Sequence, residues 1–361
     1  MQTKLGSRAA DNKRLLVFNC HEPWIFQLRV LACELDIVVN LPGKYNKGWD
    51  HRMRPVPANA RLVTLDEALA SPAPYHCIIT HNNTDLLDVR YRSDPKLLVL
   101  HHSLEGRLAE EHSRIDPQKM RHILRTYVEM VGAHVVATSM FKGESWGFTE
   151  DIVHPGVDIG DYAPHRGDQP CGLRICNFIS SRRKILVWDF HEQAFEGVPV
   201  TLVGHNPDLP GVEAARDWDH LKSLLQSHRF YIHTADPRFE AGYNMALAEA
   251  MAAGLPVLGN RHPTSPVKHG VTGFLSDDPR ELQRYARILL ADQKLAHDMG
   301  QEARRTAAER FSPLRFKQAI LRSVEIARRK WFMRATDPLA SADAGSQPAL
   351  SLHQQVDPTF R

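Results

Sequence analysis

The sequence has few cysteines and no long apolar segment. Its 361 residues include five cysteines, which form no Cys-x-x-Cys pair, so we expect free thiols in a reducing compartment. No apolar run reaches the roughly 18 residues that a membrane-spanning helix needs. The polar N-terminal stretch, residues 1–13, lacks the apolar core of a secretory signal. We therefore expect a cytoplasmic protein, and peripheral contact with the inner face of the membrane stays open.

Two glycine-rich phosphate-binding motifs are also missing. The dinucleotide-binding pattern Gly-x-Gly-x-x-Gly does not occur, and the nearest approach to a P-loop, Gly43-Lys-Tyr-Asn-Lys-Gly48, is followed by Trp49. These absences argue against an NAD enzyme and against a P-loop NTPase. The net charge is only +3, and no dense basic run carries interleaved aromatic residues, so we expect no nucleic-acid partner.

Short apolar runs alternate with longer amphipathic segments, which predicts an α/β fold with parallel strands. Candidate strands of the first half lie at 15–18, 35–39, 77–80, 97–100 and 134–138, with one long helix at 108–130. Candidate strands of the second half lie at 173–178, 200–203, 230–233, 256–258 and 273–275. The second half has candidate helices at 188–196, 217–226, 245–253, 279–292 and 294–310. Ligands of such sheets bind outside the carboxyl ends of the strands, so we expect a site in the cleft between the two units.

A stretch rich in glycine and proline, residues 155–172, separates the two units. We predict a Rossmann-like first domain at 1–165 and a Rossmann-like second domain at 166–312. The amphipathic helix at 313–334 is predicted to return to the first domain. The polar segment 335–361 is predicted to be disordered.

The segment 230–259 carries the most informative pattern, because its sequence predicts a strand, an acidic loop, a helix and a second strand. Asn244 suits the N-cap of that helix and Gly254 suits the residue after its end. Glu249 is the single charge of an otherwise apolar helix, where a carboxylate is costly to bury unless something binds it. The helix N-terminus is a natural phosphate site. Glu249 could then accept the hydroxyls of a ribose, and Glu240 could reach a sugar beyond the phosphates.

This segment resembles the donor-binding signature of family 4 of the retaining glycosyltransferases, in which two Glu residues precede Ala-Met-Ala-x-Gly-x-Pro-Val. Residues 249–257, Glu-Ala-Met-Ala-Ala-Gly-Leu-Pro-Val, match that pattern closely. Residues 260–273, with the pattern Gly270-Val-Thr-Gly273-Phe-Leu, resemble the next segment of the family, and 153–158 resemble its domain-closing turn. The strand 201–204 resembles the family's second-domain strand. The resemblance covers most of 173–311 and the first half only loosely.

The resemblance implies a GT-B fold, in which two Rossmann-like domains face each other across a cleft. It also implies transfer of a hexose-type sugar, with retention, from a UDP- or GDP-linked donor to a glycan or lipid-linked acceptor of polysaccharide biosynthesis. The donor is a substrate, and neither a cofactor nor a metal ion is implied, because cations and a helix N-terminus supply the positive charge. The implied catalytic residues are Glu240 and His101, with His102 as the second choice. The implied donor-binding residues are Glu249, Lys184, Arg182, Gly242, Tyr243 and Asn244.

Three features depart from the family pattern. Eight residues instead of seven separate Glu240 from Glu249, which we interpret as a one-residue insertion because Gly242-Tyr243 still align with the family's Gly-aromatic pair. Asn244 stands where the family usually has Gly. Residues 19–24, Asn-Cys-His-Glu-Pro-Trp, replace the Gly-rich loop after the first strand, so we predict a differently built acceptor side.

Two other functions stay open at this point. A non-catalytic relative that binds a nucleotide sugar and scaffolds a partner would account for the shifted Glu240 and the missing loop. Gly143-Glu-Ser145-Trp-Gly147 matches the nucleophile elbow of α/β-hydrolases, in which Ser145 would be the nucleophile. That elbow requires a strand running straight into the first Gly, whereas the predicted strand ends near Thr138.

Overall fold

The structure, a computed structural model, describes residues 13–41 and 48–336. The start of the predicted first domain (1–12), residues 43–47 of the glycine-containing stretch and the predicted tail from 337 onward lie outside the described residues. In the part of the chain that is described, no helix is both long enough and apolar enough to cross a membrane.

Six parallel strands form the sheet of the first domain, in the order β3-β2-β1-β4-β5-β6. The strands are β1 (Arg14–Phe18), β2 (Glu34–Val38), β3 (Ala60–Val63), β4 (Cys77–Thr80), β5 (Lys96–Leu100) and β6 (Ala133–Ala137). Strands β4, β5 and β6 are buried along their whole length, as expected of a parallel sheet covered on both faces. Five of the six lie within one residue of their predicted positions. The missed strand, β3, is an edge strand whose exposed Arg61 and Leu62 give it no apolar run.

Six helices accompany this sheet: α1 (Glu22–Phe26), α2 (Leu65–Ala70), α3 (Asn83–Asp88), α4 (Leu104–Glu110), α5 (Pro117–Val131) and α6 (Met140–Trp146). The single helix predicted at 108–130 is wrong, because α4 and α5 are separate helices. Asp116 caps α5 through the backbone N–H of Gln118, and Pro117 occupies the first helical position. A proline there has no N–H to donate to the preceding turn, so the chain starts a new helix at this point.

The second domain has a five-stranded parallel sheet in the order β11-β10-β9-β7-β8. Its strands are β7 (Gln169–Ile175), β8 (Val200–Val203), β9 (His228–Ile232), β10 (Val257–Gly259) and β11 (Gly273–Leu275). Its helices are α7 (Ile179–Arg182), α8 (Trp188–Ala194), α9 (Trp218–Ser227), α10 (Met245–Ala253), α11 (Pro279–Ala291) and α12 (Gln293–Arg310). All five predicted strands and all five predicted helices of this half are present, whereas the short α7 was not predicted.

The last helix, α13 (Pro313–Ala335), lies against β4, β5 and β6 of the first sheet. Phe316, Ile320, Val324 and Ala327 pack there in one core with residues of β1 and β2. The strands of the two sheets fall on either side of the predicted boundary at 165/166, and the boundary itself stays a prediction.

The carboxyl ends of the two sheets meet in the cleft between the domains. Ser103, which follows β5, donates a hydrogen bond to the backbone carbonyl of Phe239 in the loop after β9. Gly106 faces the same carbonyl, and a Cβ at this position would lie well inside van der Waals distance of it. Glycine at 106 therefore permits α4 to approach the loop that carries Glu240.

Candidate functional site

Helix α10 has the ends that its sequence predicts. The Asn244 side-chain oxygen accepts from the Leu247 N–H at 2.9 Å, and Gly254 follows the helix with φ +93°. Asn244 is exposed, while residues 247–253 are buried. The first-turn N–H groups, with the positive end of the helix dipole, thus lie at the cleft. This arrangement suits the binding of an anion.

Glu249 is buried inside this helix, and its partner comes from the other domain. Its carboxylate forms an ion pair with the guanidinium of Arg54, whose side chain is 2% exposed. The hydroxyl of Tyr162 also hydrogen-bonds to Glu249, and burial together with this carboxylate raises the pKa of Tyr162 well above its usual value. The sequence predicts that the Glu249 carboxylate needs a binding partner. In the structure, its partners are side chains of the protein itself.

The loop that carries Arg54 lies over the second domain. The Arg54 guanidinium stacks on the ring of Trp218 at 4.4 Å, and the Trp49 Nε1–H donates to the Arg54 carbonyl at 2.7 Å. The backbone N–H of Trp218 donates to the carbonyl of Arg52 at 2.6 Å. These contacts place a first-domain loop over the carboxylate that is predicted to bind a ribose.

Glu240 lies in a charged cluster that spans the cleft. The Lys142 Nζ of α6 is 3.5 Å from one carboxylate oxygen, and the Arg182 Nη2 of α7 is 4.0 Å from the other. The N–H of Ala241 donates to the carboxylate at 2.8 Å. Arg182 also approaches Glu110 of the first domain at 3.5 Å. One carboxylate therefore has a cation from each domain beside it.

These neighbours decide the charge of Glu240. Burial would raise its pKa, but Lys142, His102, the Ala241 N–H and Arg182 together outweigh burial and hold the pKa below its usual value. Glu240 is thus ionised at neutral pH. An ionised carboxylate here can stabilise positive charge that develops on a bound sugar.

The two candidate histidines point to different surroundings. The His101 Nε2 lies 2.8 Å from the Nδ1 of His81 and 3.9 Å from the Sγ of Cys20. Burial, helped by His81, lowers its pKa well below the usual value, so the ring is neutral. His102 faces the cleft, where desolvation lowers its pKa to about 4 although Glu240 opposes the shift. His102, the second choice from the sequence, is thus the histidine close to Glu240, and the role of His101 stays a prediction.

The predicted phosphate cations lie at the same side of the cleft. Arg182 ends α7 beside Glu240, as described above. Lys184 is exposed, and its Nζ lies 4.7 Å above the ring of Phe239 in the loop that carries Glu240. The neighbouring Arg183 forms ion pairs with Asp189 and Glu192 instead. The structure thus brings Lys184 and Arg182 to the loop before α10, and their contact with a diphosphate stays a prediction.

Gly242 and Tyr243 are held by polar contacts within the protein. The Gly242 N–H donates to the Oγ1 of Thr264 at 2.8 Å. Tyr243 is 4% exposed, and its hydroxyl lies 2.8 Å from the Nδ1 of His154 and 3.4 Å from the carbonyl of Thr138. The Tyr243 side chain therefore joins the domains at this point, and contact of these two residues with a donor stays a prediction.

Ser145 does not have the geometry of a nucleophile elbow. Strand β6 ends at Ala137, and Ser145 lies near the end of α6, which starts only at Met140. Its hydroxyl donates to the carboxylate of Glu105 and accepts from the Leu104 N–H at 2.6 Å. The hydroxyl connects two helices, so the hydrolase alternative is wrong.

Two site residues were missed from the sequence, Arg54 and Lys142. Lys142 lies on the first helix after β6, at the sheet edge where ligands of α/β proteins bind, so its position carried a signal. Arg54 lies in a loop between β2 and β3 that has no periodicity and no motif. Its pairing with a residue 195 positions away could not be read from spacing.

Comparison with known proteins shows which part of the chain resembles a known family. Residues 214–306, which include α10, match the family model described as Glycosyl transferases group 1. Over 73 residues the chain is 37% identical to the N-acetyl-alpha-D-glucosaminyl L-malate synthase of Bacillus anthracis, which is 19% of this chain and 19% of that enzyme. The match is therefore confined to a short part of both proteins.

Solved structures resemble most of the chain at low identity. HepE of Anabaena, in complex with UDP and glucose, has a TM-score of 0.61 and 16% identity over 86% of this chain and 99% of HepE. The sucrose-phosphate synthase of Thermosynechococcus elongatus has a TM-score of 0.59 and 14% identity over 88% of this chain and 98% of that protein. TarM has a TM-score of 0.53 and 14% identity, and this chain spans only 54% of it. Residues 214–306 thus resemble the glycosyl transferases group 1 family, and the chain has the two-domain GT-B fold.

Proposed function

We propose that this chain transfers a glycosyl unit, with retention of configuration, from a nucleoside diphosphate sugar to a hydroxyl acceptor. The observation that carries the proposal is the position of Glu240, ionised between Lys142 and Arg182 in the loop that leads into α10. The same short segment offers a carboxylate for the sugar, a helix N-terminus for phosphate and a second carboxylate for ribose.

The reaction breaks the bond between the anomeric carbon and the diphosphate oxygen, so positive charge develops on the sugar and negative charge on the leaving group. Glu240 would stabilise the first charge, while Arg182, Lys184 and the N-terminus of α10 would stabilise the second. The acceptor oxygen forms the new bond on the face that the diphosphate leaves, and its proton passes to a diphosphate oxygen. All charges that this scheme requires come from side chains and backbone groups of the protein.

One observation favours a second candidate, a non-catalytic scaffold that binds a nucleotide sugar. Glu249 is covered by Arg54, and a ribose could reach the carboxylate only if Arg54 moved or shared it. A transferase would open this contact in each cycle. A scaffold would keep it closed or would bind its ligand without turnover.

The first experiment is a thermal-shift screen with UDP, GDP, ADP and their common sugar conjugates, with NAD as the negative control. A ligand that binds only the folded state adds about 2.7 kcal/mol of stability at a hundredfold excess over Kd. We expect a shift with one nucleoside diphosphate and its sugars, which also identifies the base, and loss of the shift in Glu249→Gln. No shift with any of these compounds would contradict the proposal.

Turnover separates the two candidates. The sugar nucleotide that gives the shift is incubated with the protein, and release of free nucleoside diphosphate is measured with and without a mixture of glycan acceptors. Release that Glu240→Gln abolishes supports a transferase. Binding without any release supports the scaffold.

The acceptor in this proposal is a glycan or lipid-linked glycan, reached by peripheral contact with an anionic membrane. The supporting feature is the C-terminal end of α13, where Arg329, Phe332 and Met333 are exposed together. Co-sedimentation with vesicles tests it, and we expect binding to phosphatidylglycerol-containing vesicles but not to pure phosphatidylcholine. Replacing Phe332 and Met333 by Ser should weaken that binding, and equal binding by wild type and variant would argue against this contact.

A further inference from the structure

Three metal-ligating side chains converge in the first domain, beyond the donor site. Cys20 lies two residues after β1, and His81 and His101 directly follow β4 and β5. These strands are neighbours in the sheet and run parallel, so their carboxyl ends lie side by side. The fold thus brings together three residues that are far apart in sequence.

The distances within the cluster are close to those of a metal site. The His81 Nδ1 and the His101 Nε2 are 2.8 Å apart, the His101 Nε2 and the Cys20 Sγ are 3.9 Å apart, and all three atoms lie within 4.8 Å of one another. Ligands about 2.0–2.3 Å from a tetrahedral ion are separated by somewhat more than 3 Å, so small side-chain movements suffice. Among the described residues, this is the one group of three such side chains that meets these distances.

The surroundings hold the two rings in place. Trp24 of α1 packs edge-on against both imidazoles, with ring centroids 4.7 Å from His81 and 5.1 Å from His101. Trp24 also contacts Phe316 of α13 at 5.9 Å, which ties it to the core of the domain. A preorganised pair of nitrogen ligands loses little conformational entropy when it binds an ion.

We propose that Cys20, His81 and His101 form a binding site for a thiophilic divalent cation, with Zn²⁺ as the preferred ion. One thiolate and two imidazoles are borderline-soft ligands, which suit Zn²⁺ and exclude Mg²⁺ and Ca²⁺, because those ions take oxygen ligands. Three protein ligands leave a fourth position for a water molecule or another small ligand. The donor reaction requires no metal in the scheme above, and of the three ligands only His101 is also a predicted catalytic residue.

The test uses the full chain, stripped with a chelator and dialysed. Zn²⁺ is titrated in competition with a chromogenic chelator, and we expect one tightly bound ion per chain. Cys20→Ser and His81→Asn should each weaken the affinity by about 100-fold or more, since loss of even an outer-shell partner costs about 10- to 100-fold. The matched controls are Cys171→Ser, a half-buried free thiol of the second domain, and His122→Asn, an exposed residue of α5. Both controls should bind Zn²⁺ like the wild type.

Co²⁺ gives a second measurement that needs no variant. Bound at this site, it should show the intense visible bands of a tetrahedral ion and a thiolate-to-cobalt charge-transfer band. Absence of stoichiometric Zn²⁺ binding, or Co²⁺ binding without the thiolate band, would overturn the proposal and leave a plain hydrogen bond between two imidazoles. Unchanged affinity in folded Cys20→Ser, checked by circular dichroism, would have the same meaning.

Discussion

The two domains build their halves of the cleft in different ways. The second domain supplies Glu240, the N-terminus of α10 and Glu249 from one continuous strand-loop-helix unit. The first domain supplies Arg54, His102 and Lys142 from three separate loops and helices. The side of the cleft that comes from one local unit leaves a motif in the sequence. The side that is assembled from several strand ends leaves none.

The largest effect should come from the buried ion pair that joins the two halves. Removing either partner leaves an unpaired buried charge, so Glu249→Gln and Arg54→Met should each lower the free energy of unfolding by about 3–5 kcal/mol. Only Glu249→Gln should also weaken nucleotide binding, by about 10- to 100-fold, since a hydrogen bond to a charged group contributes about 1.5–3 kcal/mol. Urea unfolding and calorimetric titration measure the two effects.

The control for this prediction is the double variant Arg54→Met/Glu249→Met. Apolar replacement of a whole buried pair is often neutral for stability, so unfolding should recover while nucleotide binding stays lost. If Arg54→Met weakened nucleotide binding as much as Glu249→Gln does, Arg54 of the first domain would also contribute to binding the donor.

The next effect concerns Glu240 and its first-domain neighbour. Glu240→Gln should lower kcat by about 100- to 1,000-fold, the usual cost of removing one electrostatic stabiliser, with little change in nucleotide affinity. Lys142→Met should instead move the acid limb of the rate profile to higher pH, because Lys142 helps to hold the pKa of Glu240 below its usual value. The pH dependence of kcat/KM measures this shift.

The lowered pKa of Glu240 also gives the direction in which Lys142→Met should change the stability of the fold. A lowered pKa stabilises the folded state above the unfolded pKa of Glu, and this contribution is lost as the pH falls through the folded value. Lys142→Met should therefore reduce stability at neutral pH and flatten its acid dependence. Lys119→Met, at an exposed site of α5, serves as the control. An unmoved acid limb in Lys142→Met would show that Lys142 does not control the charge of Glu240.

A smaller effect is expected where Gly106 of α4 approaches the loop that carries Glu240. Gly106→Ala places a methyl group against the Phe239 carbonyl, and overpacking of this kind costs about 1–3 kcal/mol. Gly48→Ala is the control, because its Cβ would meet only the Asn40 side chain at 3.9 Å. Thermal unfolding compares the two, and equal midpoints would mean that the loop carrying Glu240 adjusts without cost.

The smallest effect on turnover belongs to Ser145, which is a first-domain residue outside the site. Ser145→Ala should leave transfer activity unchanged and cost about 1 kcal/mol of stability, because the Leu104 N–H loses its partner. Glu105→Gln is a useful companion, since it keeps an acceptor for the serine. Loss of activity in Ser145→Ala without loss of fold would reopen a chemical role for this serine.

The sequence predicts most of the fold for a physical reason. Buried parallel strands such as β4 and β8 are short apolar runs bounded by turn residues, and both were placed at their observed bounds. The edge strand β3 and the short helices α1, α2, α3, α6 and α7 were not predicted, because exposed or brief elements have no recognisable period. The break between α4 and α5 was not predicted because the amphipathic pattern continues across it.

The residues of the candidate site also divide into those that the sequence predicts and those that it does not. Asn244, Glu249 and Glu240 were predicted because cap, helix and loop are consecutive in sequence. Arg54 and the Cys20–His81–His101 cluster exist only once the sheets are formed, because their members are brought together by strand order. The choice between His101 and His102 depends on side-chain direction at the end of β5, which adjacent identical residues cannot reveal.

The ion pair over α10 also has a kinetic consequence. If Glu249 receives the ribose, only molecules in which Arg54 has withdrawn can accept a nucleotide, and the observed affinity is reduced by the fraction of such molecules. When Arg54 and Glu249 separate, both charged groups regain contact with water. Breaking the ion pair therefore costs less free energy than the attraction between the two charges alone suggests. In stopped-flow mixing, the association rate would then rise with nucleotide concentration to a plateau set by the opening of the Arg54 loop.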